Sequence, residues 1–177
     1  MSFRDSVRSF AYRQITERLR NAPRGDPEAF VNIAWTALAP TGVSWIGFYR
    51  MASDRHSMVL EQCRDRPACS PIGLHGVCGQ AARTGRTMIV GDVADLGDDY
   101  VACDPRDRSE IVIPIHADLL PGGQIGRVLD LDSFETNSFS DLDGRRLREA
   151  LRIAGFAPAG DRPEAPEERE EMKNHPR

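Results

Sequence analysis

Apolar side chains recur every three to five positions in the first twenty residues, among charged ones. They are Phe3, Val7, Phe10, Ile15 and Leu19. This spacing predicts an amphipathic helix over residues 3–21 that turns one apolar stripe toward a core. Asp26 followed by Pro27 is typical of a helix start, so a second helix is expected over residues 27–38.

The middle of the chain changes to short segments that are rich in β-branched and aromatic residues. They predict strands over residues 44–51, 57–62, 87–90, 111–115 and 126–131. A short helix is expected over residues 76–83, and residues 91–108 are expected to form a loop. A last helix is expected over residues 140–156, because Asp143 follows Ser140 by three positions as in a capping box. Helices at both ends of an antiparallel set of strands indicate the α+β class.

Composition limits the number of domains and the kinds of partner. The chain has 177 residues, 40% of them hydrophobic, which predicts one domain over residues 1–156. A net charge of -4 argues against sequence-independent binding to nucleic acid. Short apolar runs and a charged N-terminus predict no membrane span and no secretory signal, so we expect a cytoplasmic protein. Residues 157–177 hold four prolines and ten charged side chains, which predicts a disordered acidic tail.

Four cysteines lie in one central stretch, at Cys63, Cys69, Cys78 and Cys103. No pair has the two-residue spacer of zinc knuckles or thioredoxin-type dithiols, although a four-cysteine zinc site stays open. Unrelated buried thiols would be expected on apolar strands. Cys69 and Cys103 instead stand among polar residues in expected loops, where accessible thiolates are reactive. Cys78 falls near a helix start, where free N–H groups could lower the pKa of its thiol or bind a substrate carboxylate, although a turn with this glycine spacing is as often only structural.

Acidic and aromatic residues share faces of two predicted strands. Asp130 and Asp132 are two positions apart, so both point to one face, opposite the neighbouring leucines. Two carboxylates above an apolar face suit a pocket for an ammonium group, whereas solvent exposure or a cap for the turn at Ser133 is the structural alternative. Trp45 and Tyr49 also share a face, which could attract cations or sulfur or could simply pack in the core.

Six segments together resemble the free methionine-(R)-sulfoxide reductases, which are stand-alone GAF-type domains. Between about residues 26 and 156 these segments follow the family's order: SWIGFY at 44–49, RPAC at 66–69, HGVCGQAA at 75–82, ACD at 102–104, SEIVIP at 109–114 and VLDLDS at 128–133. The resemblance implies a GAF-like α+β fold with a central antiparallel sheet of about six strands flanked by helices.

The resemblance also implies roles for individual residues. Cys103 falls on the thiol that attacks the sulfoxide, Cys69 on the resolving thiol and Cys78 on an accessory or alternative resolving thiol. The substrate-binding positions of the family fall on Trp45, Tyr49, Glu110, Asp130 and Asp132. Glu110 is in addition the candidate proton donor, whereas Cys63 has no counterpart and is expected to be structural.

An enzyme of this family reduces free methionine-(R)-sulfoxide through a sulfenic acid on Cys103 and an intramolecular disulfide. Thioredoxin is then the implied reductant, no cofactor or metal is implied, and homodimers are common in the family. A non-catalytic GAF-type module that binds a small ligand or senses redox state is the alternative. Residues 116–124 resemble a small insertion relative to the family, close to loops that would close over a substrate.

Overall fold

The computed structural model describes residues 3–99, 103–117 and 123–159. Its helices are α1 (Phe3–Leu19), α2 (Pro27–Leu38), α3 (Val77–Thr84) and α4 (Asp141–Ile153). Its strands are β1 (Trp45–Met51), β2 (Ser57–Arg64), β3 (Ile72–Gly73), β4 (Met88–Val90), β5 (Ser109–His116) and β6 (Ile125–Ser133). These elements confirm the predicted α+β class and its order of helices and strands.

The six strands form one antiparallel sheet in the order β3-β2-β1-β6-β5-β4. The central strands β1 and β6 therefore hold the middle of the sheet, with β5 beside β6. In this register Asp132 pairs with Trp45 on one side and with Glu110 on the other. Asp130 pairs in the same way with Gly47 and Val112. The register thus gathers predicted site residues from three strands.

Local signals explain where two helices begin. The Asp26 side chain accepts hydrogen bonds from the backbone N–H groups of Glu28 and Ala29, at 2.9 and 3.2 Å. Asp143 accepts from the backbone N–H of Ser140 at 2.8 Å, which completes the predicted capping box. These bonds satisfy N–H groups that the first turn of a helix leaves free.

Apolar side chains cover both faces of the sheet. On one face, α1, α2 and α4 bury side chains that include Phe30, Ile46, Phe48, Leu129 and Leu131. On the other face, α3 packs against β5 and β6 over a smaller cluster that contains Trp45, Tyr49, Cys78, Val112 and Val128. The larger cluster forms the main core, and the smaller one surrounds the predicted site residues.

The stripe predicted on α1 is partly wrong. Ile15 and Leu19 are buried as expected, but Val7 and Phe10 are 37% and 54% exposed. Arg8 turns inward instead, and its Nη1 lies 3.1 Å from the Asp143 carboxylate. Tyr12 donates a hydrogen bond to the same carboxylate at 2.8 Å. A buried ion pair between α1 and α4 therefore sets the rotation of α1, which apolar spacing alone does not specify.

Several elements and bounds differ from the predictions. The two-residue strand β3 and a 3-10 segment at Val93–Asp99 lie where loops were expected. The last helix ends at Ile153, three residues early.

The domain continues past the predicted boundary at residue 156. Ala157 accepts a hydrogen bond from the N–H of His116, and the N–H of Ala159 donates to Pro114, both at 2.8 Å. Residues 157–159 thus lie along β5, and Ala159 is buried. Residues 160–177 of the predicted tail are outside the described residues. No helix in the described part is long and apolar enough to span a membrane.

Candidate active site

A cavity of about 50 Å³ lies between α3, the sheet and the loop before β5. Five of the predicted site residues line it: Tyr49, Cys78, Cys103, Glu110 and Asp130. The other three predicted residues lie beside these. Asp132 is the cross-strand neighbour of Glu110, Cys69 forms a disulfide with Cys103, and the Trp45 ring centroid is 6.0 Å from that of Tyr49. Residues that are up to 87 positions apart in the sequence thus meet at one place.

Three carboxylates form the floor of this site. Oxygens of Glu110, Asp130 and Asp132 lie within 4.8 Å of one another, close enough to surround a cation. Burial raises the pKa of Glu110 to about 8, and the nearby Asp132 adds to the effect. Burial raises the pKa of Asp130 and Asp132 as well. Burial beside like charges disfavours the ionised form of each of these carboxyls, and a cationic ligand would offset that cost.

Two buried oxygens of this cluster have no hydrogen-bond partner in the described part of the chain. They are Oε1 of Glu110, a residue that is 6% exposed, and Oδ1 of Asp130, a residue that is 7% exposed. A buried polar atom without a partner costs free energy unless a ligand or water satisfies it. Since both residues line the cavity, a ligand with hydrogen-bond donors can satisfy both atoms.

The cysteine pair lies at the surface end of the cavity. Cys69 and Cys103 form a disulfide with their Cα atoms 5.5 Å apart, and both residues are exposed. This exposure confirms the expectation that both thiols are accessible in loops. Since a disulfide uses the sulfurs of Cys69 and Cys103, the four-cysteine zinc site does not form in this structure.

Cys78 differs from the expectation for its pKa. It lies in the first turn of α3, but it is buried and its Sγ donates a hydrogen bond to Asp130 Oδ2 at 3.4 Å. Burial, together with the nearby carboxylates of Asp130 and Glu110, raises the pKa of the Cys78 thiol well above its usual value. The predicted lowering is wrong, because burial beside acids outweighs the positive end of one short helix.

The two aromatic residues hold the loop that carries Cys69. Trp45 Nε1 donates a hydrogen bond to the Arg66 carbonyl at 2.8 Å, and the Tyr49 hydroxyl donates to the Cys69 carbonyl at 3.0 Å. A Cβ atom at Gly47, between the two in β1, would overlap the Trp45 ring. Tyr49 reaches the cavity, whereas Trp45 is not among the described residues that line it.

The chain was compared with known proteins. No family model matches the sequence. A solved free methionine-R-sulfoxide reductase from Neisseria meningitidis, in complex with its substrate, superposes with a TM-score of 0.71. It is 32% identical, and the alignment covers 87% of this chain and 89% of that one. The chain belongs to the free methionine-R-sulfoxide reductase family.

Other relatives agree with this family. The free methionine-R-sulfoxide reductase of Saccharomyces cerevisiae is 34% identical over 122 residues, which is 68% of this chain and 65% of the yeast protein. A solved GAF domain superposes with a TM-score of 0.69 at 26% identity, over 82% of this chain and 86% of that one. The GAF-like fold is therefore confirmed. This chain spans a little under two thirds of the length of the curated relatives that it matches first.

Sequence reasoning missed a fourth acid, Asp107. It is only 6% exposed and accepts a hydrogen bond from Ser44 Oγ at 3.4 Å. Burial and the nearby Asp104 raise its pKa to about 6. Asp107 also raises the pKa of Glu110, Asp130 and Asp132. No sequence signal marks it, because an acid in a polar segment between two arginines is typical of an exposed loop.

Cys63 has a structural contact, as expected for a cysteine without a counterpart in the reductase family. Its Sγ donates a hydrogen bond to the Arg66 carbonyl at 3.3 Å, and partial burial raises the pKa of the thiol. The Arg66 carbonyl thus accepts from both Cys63 and Trp45, which fixes the start of the Cys69 loop.

Proposed function

We propose that this chain reduces free methionine-(R)-sulfoxide to methionine with its own cysteine thiols. One observation carries the proposal: a single cavity joins a disulfide-bonded cysteine, Cys103, to two buried carboxylate oxygens that lack partners in the described part of the chain. Membership of the free methionine-R-sulfoxide reductase family supports the same conclusion.

The carboxylates would bind the ammonium group of the free amino acid. An ammonium offers three N–H donors and a positive charge, so it can satisfy Glu110 Oε1 and Asp130 Oδ1 together. Charge-assisted hydrogen bonds of this kind contribute roughly 1.5–3 kcal/mol each. Asp132 adds negative charge next to both. A methionine sulfoxide inside a peptide lacks this ammonium, so the pocket would select the free amino acid.

The reduction would begin with attack of the Cys103 thiolate on the sulfoxide sulfur. Glu110 would donate a proton to the sulfoxide oxygen, since burial raises the pKa of its carboxyl to about 8 and so favours the protonated form. Methionine then leaves and the oxygen remains on Cys103 as a sulfenic acid. The substrate sulfur is reduced by two electrons, and the cysteine sulfur is oxidised by two.

Cys69 would resolve this intermediate. Its thiol attacks the sulfenic acid, the Cys69–Cys103 disulfide forms and water leaves. The disulfide in the structure supports Cys69 over Cys78 as the partner of Cys103. Cys78 has a strongly raised pKa and donates to Asp130, so it would remain a neutral thiol that orients this carboxylate. Thioredoxin, a protein dithiol, would then reduce the Cys69–Cys103 disulfide. Its own two thiols supply the two electrons and become a disulfide.

The test is release of methionine from the free sulfoxide, with dithiothreitol as reductant. We expect many turnovers per protein molecule on the R epimer and none on the S epimer. The Cys103→Ser variant is the matched control for non-enzymatic reduction. A single turnover that stops despite excess reductant would support a redox sensor instead, and no methionine at all would contradict the proposal.

A further inference from the structure

A cluster of charged side chains next to the disulfide is not explained by substrate binding or by the chemical steps. Arg66 lies three residues before Cys69, in the loop between β2 and β3. Its guanidinium donates a short hydrogen bond to Asp104, the residue that follows Cys103. Both the disulfide and this ion pair therefore connect the loop that carries Cys69 with the loop that carries Cys103.

Asp104 is held in place from both sides. Arg106 donates to its two carboxylate oxygens from Nε and Nη2, at 3.0 and 2.8 Å, and the backbone N–H of Arg106 donates at 3.0 Å. These hydrogen bonds and the charge of Arg66 lower the pKa of Asp104, so this carboxylate is ionised at neutral pH. The side chain is only 13% exposed, which makes the pair with Arg66 better shielded than most surface pairs.

An aromatic ring supports both arginines. The guanidinium carbons of Arg66 and Arg106 lie 5.5 and 4.6 Å from the ring centroid of Phe134, which directly follows β6. Cation–π contacts of this kind restrict long arginine side chains to one arrangement. Phe134 is 40% exposed, and these two contacts explain an aromatic ring at the surface of this turn.

The backbone of Arg66 is fixed independently of its side chain. Its carbonyl accepts hydrogen bonds from Trp45 and Cys63, and the Cys69 carbonyl accepts one from Tyr49. The sheet therefore holds the Cys69 loop, while the Arg66 side chain connects this loop to the one that carries Cys103. Reduction opens the disulfide, which is one of the two links described here between these loops, whereas the Arg66–Asp104 ion pair needs no disulfide to form.

We propose, building on the roles assigned above to Cys69 and Cys103, that Arg66 is a positioning residue that keeps the Cys69 thiol beside Cys103. The Arg66–Asp104 pair raises the effective concentration of one thiol at the other and so favours formation of the disulfide. It acts on the resolving step and leaves the attack on the sulfoxide unchanged.

The experiment measures the thiol–disulfide equilibrium of the protein in glutathione buffers. In this reaction one oxidised glutathione accepts two electrons, two reduced glutathiones leave and the Cys69–Cys103 bond forms. We expect Arg66→Met to lower the equilibrium constant about fivefold, near the upper end for a partly exposed ion pair. Arg66→Lys keeps the positive charge but lacks the planar guanidinium, so its equilibrium constant should lie between those of Arg66→Met and the unmodified protein.

A matched control, Arg108, lies in the loop that carries Cys103. Arg108 forms an exposed ion pair with Asp92 at 2.9 Å, but this pair does not reach the Cys69 loop. Arg108→Met should leave the equilibrium unchanged. An equal shift in both variants, or no shift in Arg66→Met, would overturn the positioning role.

A second measurement separates positioning from activation of Cys103 by a nearby positive charge. In a Cys69→Ser background, Arg66→Met should leave the rate of Cys103 alkylation by iodoacetamide unchanged. A fivefold slower alkylation there would assign the effect to the thiolate and contradict positioning. Neither measurement uses the sulfoxide, so both outcomes stand even where the proposed reductase activity fails.

Discussion

Strand β6 offers a direct comparison between the two faces of the sheet. Leu129 and Leu131 are completely buried under α1, α2 and α4, among apolar side chains. Asp130 and Asp132 alternate with them, face the cavity side and carry raised pKa values. Along these four residues, the leucines bury apolar surface on one face of the sheet. The aspartates place carboxyl groups on the other face, where burial disfavours their ionised form.

This difference separates stability from function within one strand. Burial of a leucine side chain stabilises the fold by about 1.5–3 kcal/mol. Buried acids that repel one another destabilise it unless a ligand or protons neutralise them. The helix-covered face therefore supplies the stability that keeps an unfavourable carboxylate cluster in place for the binding role proposed above.

The largest effect on the cavity face is expected from Cys103→Ser. A serine hydroxyl at neutral pH is a far weaker nucleophile toward sulfur than a thiolate, so turnover should fall to the limit of detection. The assay is methionine release from the free sulfoxide. Normal activity of this variant would sink the role assigned to Cys103.

A smaller effect on turnover is expected from Cys69→Ser. Methionine release in the first turnover should survive, because attack on the sulfoxide needs only Cys103, while steady-state turnover with thioredoxin falls. Cys78→Ser, the matched control, should recycle normally and instead weaken binding, because it alters the contact with Asp130. The reverse pattern would assign the resolving role to Cys78.

Substitutions at two neighbouring positions of β6 test the contribution of each face to stability separately. Leu129→Ala should lower the free energy of unfolding by about 2–5 kcal/mol, since it leaves a cavity in the main core. Asp130→Asn should leave this free energy unchanged or raise it at pH 8, because burial raises the pKa of the Asp130 carboxyl and an amide avoids the cost that this group adds as pH rises. Urea denaturation of both variants checks the prediction, and a large loss of stability in Asp130→Asn would contradict the comparison.

The last effect concerns the dependence of stability on pH. Glu110 keeps its proton in the folded protein up to a pKa of about 8, whereas the unfolded chain loses it near 4.5. Folding is therefore favoured most below the unfolded value, and this contribution is lost as pH rises toward 8. We expect the oxidised protein to unfold at lower urea concentration at pH 8 than at pH 5.

Glu110→Gln is the control for this pH effect. The amide does not titrate, so the difference in unfolding free energy between pH 5 and pH 8 should shrink. Part of this difference should remain, because Asp107, with its pKa of about 6, also loses its proton between pH 5 and pH 8. An unchanged difference in Glu110→Gln would show that the carboxyl is not buried as described.

Alternation and capping signals made much of the fold predictable. The alternation from Leu129 to Ser133 correctly separated leucines from aspartates, and Ser140 with Asp143 correctly marked the start of α4. These signals are local, so they can be read from neighbouring residues. The Arg8–Asp143 pair was not predicted, because it joins helices that are 135 positions apart in sequence.

The site was predictable in its members but less so in its electrostatics. Family motifs pointed to five of the nine described residues that line the cavity, but they did not indicate the raised pKa of Cys78 or the burial of Asp107. Both properties depend on which carboxylates the fold brings near and on how much water it excludes. The spacing of residues along the chain predicts neither the nearby carboxylates nor the degree of burial.

The central claim is that the carboxylate face binds the ammonium of a free amino acid. Initial rates on free methionine-(R)-sulfoxide and on its N-acetylated form test this most directly, in the unmodified protein and in Asp130→Asn and Asp132→Asn. We predict that the free substrate reacts far faster than the acetylated one and that both asparagine variants narrow the gap. Equal rates on the two substrates in the unmodified protein would contradict the claim and leave the aspartates without a role in selecting the substrate.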